Sequence, residues 1–400
     1  MKFLHISDLH IGKQLHGYSL LEDQCYVLQQ VLDIMEKECP DALLIAGDIY
    51  DKAIPGAEAV RMFDWFLTKA SEIRPKVAVF VIAGNHDSAR RIDFAGDILC
   101  REQIYIVGTP PETSEQQIRK VTLTDEHGEV DFYILPFFKP GNLRGLFTEE
   151  ENVSYVNLSK ESGRSEYDIY FEKLLARENI DYSKRNVMLT HQFYLPKSGN
   201  IERTDSEIVT VGTIDNISSQ QLSAFEYVAM GHIHRPQNCG NEQMRYCGTL
   251  MPYSLSEEKD DKSVTMVTLV EKGAQPKIET IPVTPLRRVR RLKGTKQEIL
   301  SEADCGQEKE DDYVSITITD EEPGRFVREE LGSRFSHILE IRFENSHIKE
   351  LIGEGSDAPL CEDYFEMFNR FYEMRNGVSM SEQEKHILAQ LLGETGEEEE

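Results

Sequence analysis

Five apolar runs along the chain stop in the same way, on a cluster of polar side chains. KFLHIS is followed by Asp8 and His10. ALLIAGD ends on Asp48, with Asp51 shortly after it. VAVFVIAGNHD ends on Asn85, His86 and Asp87, NVMLTH on His191, and YVAMGHIH on His232 and His234. Each run is short and rich in Val, Ile, Leu or Ala, as buried strands are. Between the first three, apolar residues recur at helical spacing. Leu21, Val27, Leu28, Val31, Leu32 and Met35 mark a helix over 20–38, closed by Pro40, and Val60, Met62, Phe63, Phe66 and Leu67 mark one over 57–71. Strand, helix, strand, helix, strand predicts a parallel, layered α/β sheet.

From Ile104 the texture changes. Segments 118–123 and 130–135 alternate around Asp125-Glu126-His127-Gly128, which predicts a hairpin. Segment 141–165 is polar and reads as a surface excursion, whereas 167–176 has helical spacing. Segment 196–212 reads as a loop between two of the polar-ended strands, either bordering their ends or simply connecting them. Segments 264–270 and 277–281 predict an antiparallel pair, and Pro282 to Pro285 mark a boundary. Beyond it lies the one basic run, Arg287, Arg288, Arg290, Arg291 and Lys293. Its alternation suits an edge strand with Val289 and Leu292 turned inward, its charges forming a solvated face or, alternatively, touching a DNA backbone. Segments 312–319, 326–331 and 337–343 then predict a small β-α-β domain. The tail is helical and acidic. Tyr364, Phe365, Met367, Phe368, Phe371 and Tyr372 crowd one segment, and Ile387, Leu388, Leu391 and Leu392 stripe another that Ser379 or Ser381 can cap. These stripes are core, or a docking face for a partner. The closing run Glu397–Glu400 reads as disordered.

The polar endings matter because side chains at the carboxyl ends of neighbouring strands converge on one crevice. Gly47, Gly84 and Gly231 each stand just before a polar ending, where a strand must turn sharply. Any one ending is a weak signal, since Asp-x-His arises often by chance. Five in order, D-x-H, G-D-x-x-D, G-N-H-D, a lone His and G-H-x-H, point to a two-metal site. Mixed imidazole and carboxylate donors suit Mn, Fe or Zn rather than Mg or Ca alone.

Composition adds two constraints. At 400 residues the chain can bury a large core, and its net charge of -27 is not the basic footprint of a free-standing nucleic-acid binder. A metal centre or a partner can supply the missing positive charge. The 7 cysteines are scattered and show no C-x-x-C. Cys239 and Cys247 lie near the paired histidines, but their spacing fits no common zinc module. With no signal peptide and no long apolar span, this reads as a cytoplasmic chain with reduced thiols and no membrane partner.

The pattern of strand endings resembles the calcineurin-like metallophosphoesterases over roughly Met1 to Val270. That resemblance implies a four-layer α/β sandwich. It implies that Asp8, His10 and His234 hold one metal, that Asn85, His191 and His232 hold the second, and that Asp48 bridges them. It also implies that His86 faces the scissile phosphate and that Asp51 is the acid that orients it. Within the superfamily, LHISDLHIGK, AGDIYD, AGNHDS, GHIHRPQ and YCGTLMPYSLSE resemble the SbcD family, bacterial counterparts of the eukaryotic and archaeal double-strand-break repair nuclease. The similarity runs near full length. It implies a nuclease domain over 1–282, an α+β DNA-capping domain over 283–350, and a helical tail over 351–400 that grips the coiled coil of the ATPase SbcC. It further implies a homodimer within an assembly of two SbcD and two SbcC chains. The activity implied is Mn-dependent cleavage of DNA ends and hairpins, as 3′–5′ double-strand exonuclease and single-strand endonuclease, gated by ATP through SbcC. A phosphodiesterase or phosphatase for small substrates on the same core is the alternative, and a non-catalytic scaffold is disfavoured because no ligand is missing.

Overall fold

The alternation along the strands decides which face each residue covers. A computed structural model describes residues 1–207, 215–303, 311–321, 327–344, 365, 368–369, 372 and 380–395. In chain order the main elements are β1 (Lys2–Ile6), α1 (Leu21–Glu38), β2 (Ala42–Ile45), α2 (Ala57–Glu72), β3 (Ala78–Ile82), β4 (Ile104–Val107), β5 (Arg119–Asp125), β6 (Gly128–Leu135), α3 (Glu149–Ser162), α4 (Glu166–Arg177), β7 (Arg185–His191) and β8 (Tyr227–Gly231). They continue with β9 (Gln237–Asn238), β10 (Met244–Tyr246), β11 (Ser263–Thr268), β12 (Lys277–Pro282), β13 (Val289–Gly294), α5 (Lys296–Ala303), β14 (Tyr313–Ile318), α6 (Val327–Gly332), β15 (His337–Phe343) and α7 (Glu382–Thr395).

Two six-stranded sheets result, ordered β12-β11-β1-β2-β3-β4 and β9-β10-β8-β7-β6-β5. In β1, Phe3 and His5 face the second sheet, while Leu4 and Ile6 face helices α1 and α2. Phe3, Leu44, Phe80, Phe132, Val187, Leu189 and Tyr227 form the apolar layer between the sheets. Val27, Val31, Met35, Phe63 and Phe66 cover the outer face of the first sheet. Tyr170, Phe171 and Leu174 of α4 cover the outer face of the second. The architecture is therefore α-β-β-α, the four-layer sandwich. Both sheets are parallel at their centres, β1-β2-β3 in one and β6-β7-β8 in the other.

Most expected elements are present, including the hairpin of β5 and β6, which turns through Glu126 and His127. One stretch differs. Segment 141–165 contains the helix α3, begun by a reciprocal cap in which Thr148 and Glu151 each accept from the other's backbone N–H. No side chain of α3 is fully buried, so no apolar period announced it. Helix α5, just after the basic strand, was likewise not expected from the pattern.

The basic strand β13 forms an edge of a third sheet, β13-β14-β15, with Val289 and Leu292 both buried but, being three residues apart, on opposite faces of it. Leu292, Val314, Ile316, Val327, Leu331 and Phe335 form its own core. Val289, Tyr313 and Leu339 join the core of the first layer instead. Arg287 pairs with Glu22 and with the buried Asp23 of α1, which also accepts from the Tyr313 hydroxyl at 3.0 Å. These ties explain why the compact units do not part at residue 282. One unit is Met1–Ile318 with Pro323–Arg342, and the other is Thr319–Glu322 with Phe343–Glu400. Within the second unit, Ser381 and Glu384 form the reciprocal cap of α7, which selects Ser381 over Ser379 as the start signal. Tyr364, Met367, Phe371 and the acidic terminus lie outside the described residues.

His5 is enclosed between the sheets, its Nδ1 3.0 Å from the Tyr227 hydroxyl and its Nε2 without a partner. Burial, then the nearby Arg245, push its pKa down to about 3. The unfolded chain binds that proton near pH 6.5, and the folded chain binds it only near 3. Stability from a neutral His5 is therefore complete above pH 6.5 and is lost as pH falls through this window. We expect wild type to lose about 1.4 kcal/mol more per pH unit than His5→Gln between pH 6.5 and 5. Urea unfolding at pH 7 and pH 5 measures this difference, and parallel losses in both chains would refute it.

Candidate metal centre

Because β1, β2 and β3 run parallel, their carboxyl ends lie at one edge, and the ends of β7 and β8 meet them there from the other sheet. The polypeptide turns hard as it leaves these strands. Asp8, His10, Asp48 and His232 all have positive φ, at 52°, 41°, 49° and 96°. Non-glycine residues seldom adopt this conformation, and it concentrates at functional sites. The turns hold one another through main-chain bonds, Asp8 N to Gly47 O at 3.0 Å and His10 N to Asp48 O at 2.9 Å. Gln24 of α1 braces the first turn, donating to His10 O at 2.7 Å and Leu9 O at 3.2 Å.

The glycines act in two ways. Gly47 has φ 89° and makes a turn, as expected. Gly84 and Gly231 do not have positive φ. Their role is close approach. A Cβ on Gly84 would run into the Asp48 carboxylate, and one on Gly231 into the Ala46 carbonyl and the His191 ring.

All seven expected ligands come together. On one side, Asn85 Oδ1 stands 3.0 Å from His191 Nε2 and 2.8 Å from His232 Nδ1. On the other, His10 Nε2 and His234 Nε2 face each other at 3.1 Å. Asp48 Oδ2 lies between, 3.5 Å from both His10 Nε2 and His191 Nε2. Single donor atoms of Asp8, His10 and His234, of His10, Asp48 and His86, and of Asp8, Asp48 and His191 each fall within 4.8 Å of one another. The outer atoms of several rings are fixed. His191 Nδ1 donates to Ala46 O at 2.7 Å, which turns Nε2 toward the cluster.

The electrostatics of this cluster ask for cations. Burial, reinforced by the charge of Asp48, pushes Asp8 up to about 8. Burial opposes ionisation of Asp48 too, but His191 and His10 outweigh it and hold that carboxyl well below the usual range. Burial likewise opposes protonation of His191, and Asp48 overrides it, raising the imidazole to about 9. Burial keeps His232 and His234 neutral, down at about 3 and about 4. Protons on Asp8 and His191 thus supply the positive charge that divalent ions would supply, and ion binding must release them. Two facing imidazole nitrogens, buried carboxylates and an amide oxygen fit such ions by type and by position.

His86 reaches the cluster from the β3 turn, its N–H on Asp48 Oδ1 at 2.9 Å and its ring 4.8 Å from that of His10. Asp51 orients it in a way the sequence did not suggest. The His86 Nδ1 meets the main-chain carbonyl of Asp51 at 3.1 Å, while the Asp51 carboxylate takes Lys13 at 2.8 Å. The carbonyl fixes the tautomer without contributing a full charge.

Other residues at the site were given no role by the sequence reading. Asp87 accepts from the N–H groups of Ile49, Tyr50 and Gly84, all at 2.9 Å, and so ties the β2 turn to the β3 turn. Loop 196–212 does border the site in its described part. Ser206 Oγ accepts from His234 Nδ1 at 2.6 Å and donates to Glu257 at 2.7 Å, and Glu257 pairs with the buried Lys262. Glu207 accepts the His234 N–H at 2.9 Å. The signal for these residues was the Thr-Asp-Ser-Glu cluster in a loop joining two ligand-bearing strands. Cys239 and Cys247 take no part in ligand geometry: Cys239 contacts Tyr194 O, and Cys247 the Ser7 hydroxyl behind Asp8.

The chain is similar to several known proteins. The calcineurin-like phosphoesterase family matches residues 1–236. A second family, SbcD_C, described as the type 5 capsule protein repressor C-terminal domain, matches residues 285–376. The SbcD component of the nuclease SbcCD from Staphylococcus epidermidis is 26% identical over 403 residues, 99% of this chain and 100% of that protein. The component of the same name from Staphylococcus saprophyticus is 28% identical over 305 residues, 76% of this chain and 74% of its own. Among solved structures, a dimetal phosphatase from Danio rerio aligns with 70% of this chain and 98% of its own at 13% identity and TM-score 0.37. The phosphopantetheinyl hydrolase of Mycobacterium tuberculosis aligns with 61% and 87% at 17% identity and TM-score 0.32. No helix among the described residues is long and apolar enough to cross a membrane.

The tight approach at Gly231 makes a direct test of this packing. Gly231→Ala should cost about 1–3 kcal/mol of stability, because the obstacle is backbone and cannot swing away. It should also weaken divalent-ion binding by displacing the His191 ring. Calorimetric titration with Mn²⁺ beside thermal unfolding checks both, and wild-type values in both would show that the space is not needed.

Proposed function

Because the chain belongs to the calcineurin-like phosphoesterase family, we propose that it is a two-metal DNA phosphodiesterase, the nuclease subunit of an SbcCD-type complex. The observation that supports this most is the joint one: a likeness to SbcD over the whole chain, around a cluster whose seven donors face one another. In this reading Asp8, His10 and His234 would hold one ion, Asn85, His191 and His232 would hold the other, and Asp48 would be shared between them. The ions are Mn²⁺ in the first instance, since imidazole and carboxylate donors together suit such metals. When bound they supply Lewis acidity toward a phosphate and a water that ionises near neutral pH.

The chain's own residues do the rest. The left-handed turns aim the donors, and the Asp87 bonds keep the β2 and β3 turns in register. Ser206 and Glu257 hold the His234 ring with Nε2 toward His10. His86, anchored at Nδ1 by Asp51 O, presents its other edge to the phosphate. That edge can neutralise charge gathering on the phosphate oxygens, or pass a proton to the departing sugar oxygen. No Ser or Cys nucleophile is required.

The finer assignments follow the likeness to SbcD. The substrate is DNA ends and hairpins, cut as 3′–5′ exonuclease and single-strand endonuclease in repair, replication and recombination. The region over 283–350 caps the DNA, and the tail over 351–400 binds SbcC, through which ATP gates access. The working form is a homodimer with two SbcC chains in the cytoplasm. An acidic chain suits this reading, because the partner and the bound ions supply positive charge.

The test is cleavage of an end-labelled DNA hairpin by the purified chain with Mn²⁺, with Mg²⁺ and with EDTA, then with SbcC and ATP added. Cutting is expected with Mn²⁺ and not with EDTA, and Asp48→Ala should abolish it. His86→Ala should keep Mn²⁺ bound while turnover falls by about 10²–10⁴-fold. A wild-type chain that stays silent on DNA even with SbcC and ATP, yet hydrolyses a small phosphodiester, would overturn the nuclease assignment.

A further inference from the structure

The described part of the loop after β7 carries a cation with no part in the scheme above. Arg203 lays its guanidinium over the face of Phe193, with Cζ 3.7 Å from the ring centroid. Phe193 is buried, and its ring leans on that of His232 with centroids 6.4 Å apart. The stack fixes the guanidinium plane beside one of the expected metal ligands. Its Nη2 is buried and has no hydrogen-bond partner. Nearby Glu207 spends one carboxylate oxygen on the N–H groups of Thr204 and His234, and its other oxygen is also unpartnered. The two side chains stand close without pairing. A buried charged donor left unmade is costly, so such a donor in a water-poor site is held for something that arrives later. The arginine is half-buried, so its remaining N–H groups are open to solvent.

We propose that Arg203 binds a non-bridging oxygen of the substrate phosphate on the His232 side of the metal centre. The proposal rests on the phosphodiesterase reading given above. A guanidinium presents its donors as a planar fork that matches two phosphate oxygens, and stacking on an aromatic ring leaves that fork free. Lysine offers neither the stack nor the fork, so it replaces arginine only in part.

The experiment compares wild type, Arg203→Ala and Arg203→Lys with a DNA hairpin and with a chromogenic phosphodiester, using inorganic phosphate as competitive inhibitor. Mn²⁺ affinity and thermal midpoint are measured beside the kinetics. For Arg203→Ala, KM and the phosphate inhibition constant should rise by about 10- to 100-fold, with Mn²⁺ affinity unchanged. Arg203→Lys should recover part of the loss. Unchanged KM and phosphate inhibition would overturn the proposal. So would weakened Mn²⁺ binding with a normal KM at saturating Mn²⁺, which would make the arginine a packing partner of Phe193. If the alanine chain does not fold, a wild-type KM in Arg203→Lys is the overturning result. A wild-type enzyme that cleaves no phosphodiester would count against the parent reading instead. Calorimetric titration of inorganic phosphate into the Mn²⁺-loaded wild-type and Arg203→Lys chains would then decide Arg203 by itself, with equal affinities refuting the role.

Discussion

Two carboxylates and three imidazoles are buried side by side, with the half-buried His232 next to them, and they cannot all keep their ordinary charge there. Asp48 stays ionised because His191 and His10 are close, and Asp8, beside it, is driven toward the neutral acid. The rest of the site follows from that crowding. The turns must be left-handed to bring main chain and side chain in together, and Gly84 and Gly231 must lack a Cβ. Rings must be held from behind, His191 by Ala46 O and His234 by Ser206. A cation placed among these donors would relieve the crowding.

The strand endings were legible because burial on both faces demands unbroken apolar runs, and each run stops at a polar residue that cannot be core. Asp8, His10, Asp48, Asn85, His191, His232 and His234 could be picked out for that reason, and the structure brings them together. The hairpin was legible from period-two alternation, whereas Val289 and Leu292, three residues apart on the edge strand, are buried on opposite faces of the small sheet. Helix α3 was not, because a helix with no buried side chain has no apolar period and only its Thr148–Glu151 cap betrays it.

The supporting residues were illegible for a different reason. Ser206, Glu257 and Lys262 act through contacts between segments far apart in the chain, which no local spacing encodes. Asp51 shows the limit of reading a role from a residue type. The residue does meet His86, but through its carbonyl, which any amino acid there would offer, while its acid serves Lys13. Gly84 and Gly231 make the complementary point. Their positions were noticed for a turn, whereas the physical requirement is room for Asp48 and His191.

Helix α1 joins two tasks on neighbouring residues. Asp23 receives Arg287 and Tyr313 from the third sheet, and Gln24 grips the carbonyls of Leu9 and His10. Both side chains are buried and sit on the first turn of the helix. In mechanical terms this is a stiff joint. A load applied to the small sheet reaches Asp23 through Arg287 and Tyr313, and the next residue, Gln24, holds the backbone that carries His10. The third sheet and the turn that carries His10 therefore stand on one footing, and a design that grafts this donor cluster elsewhere must carry the footing with it.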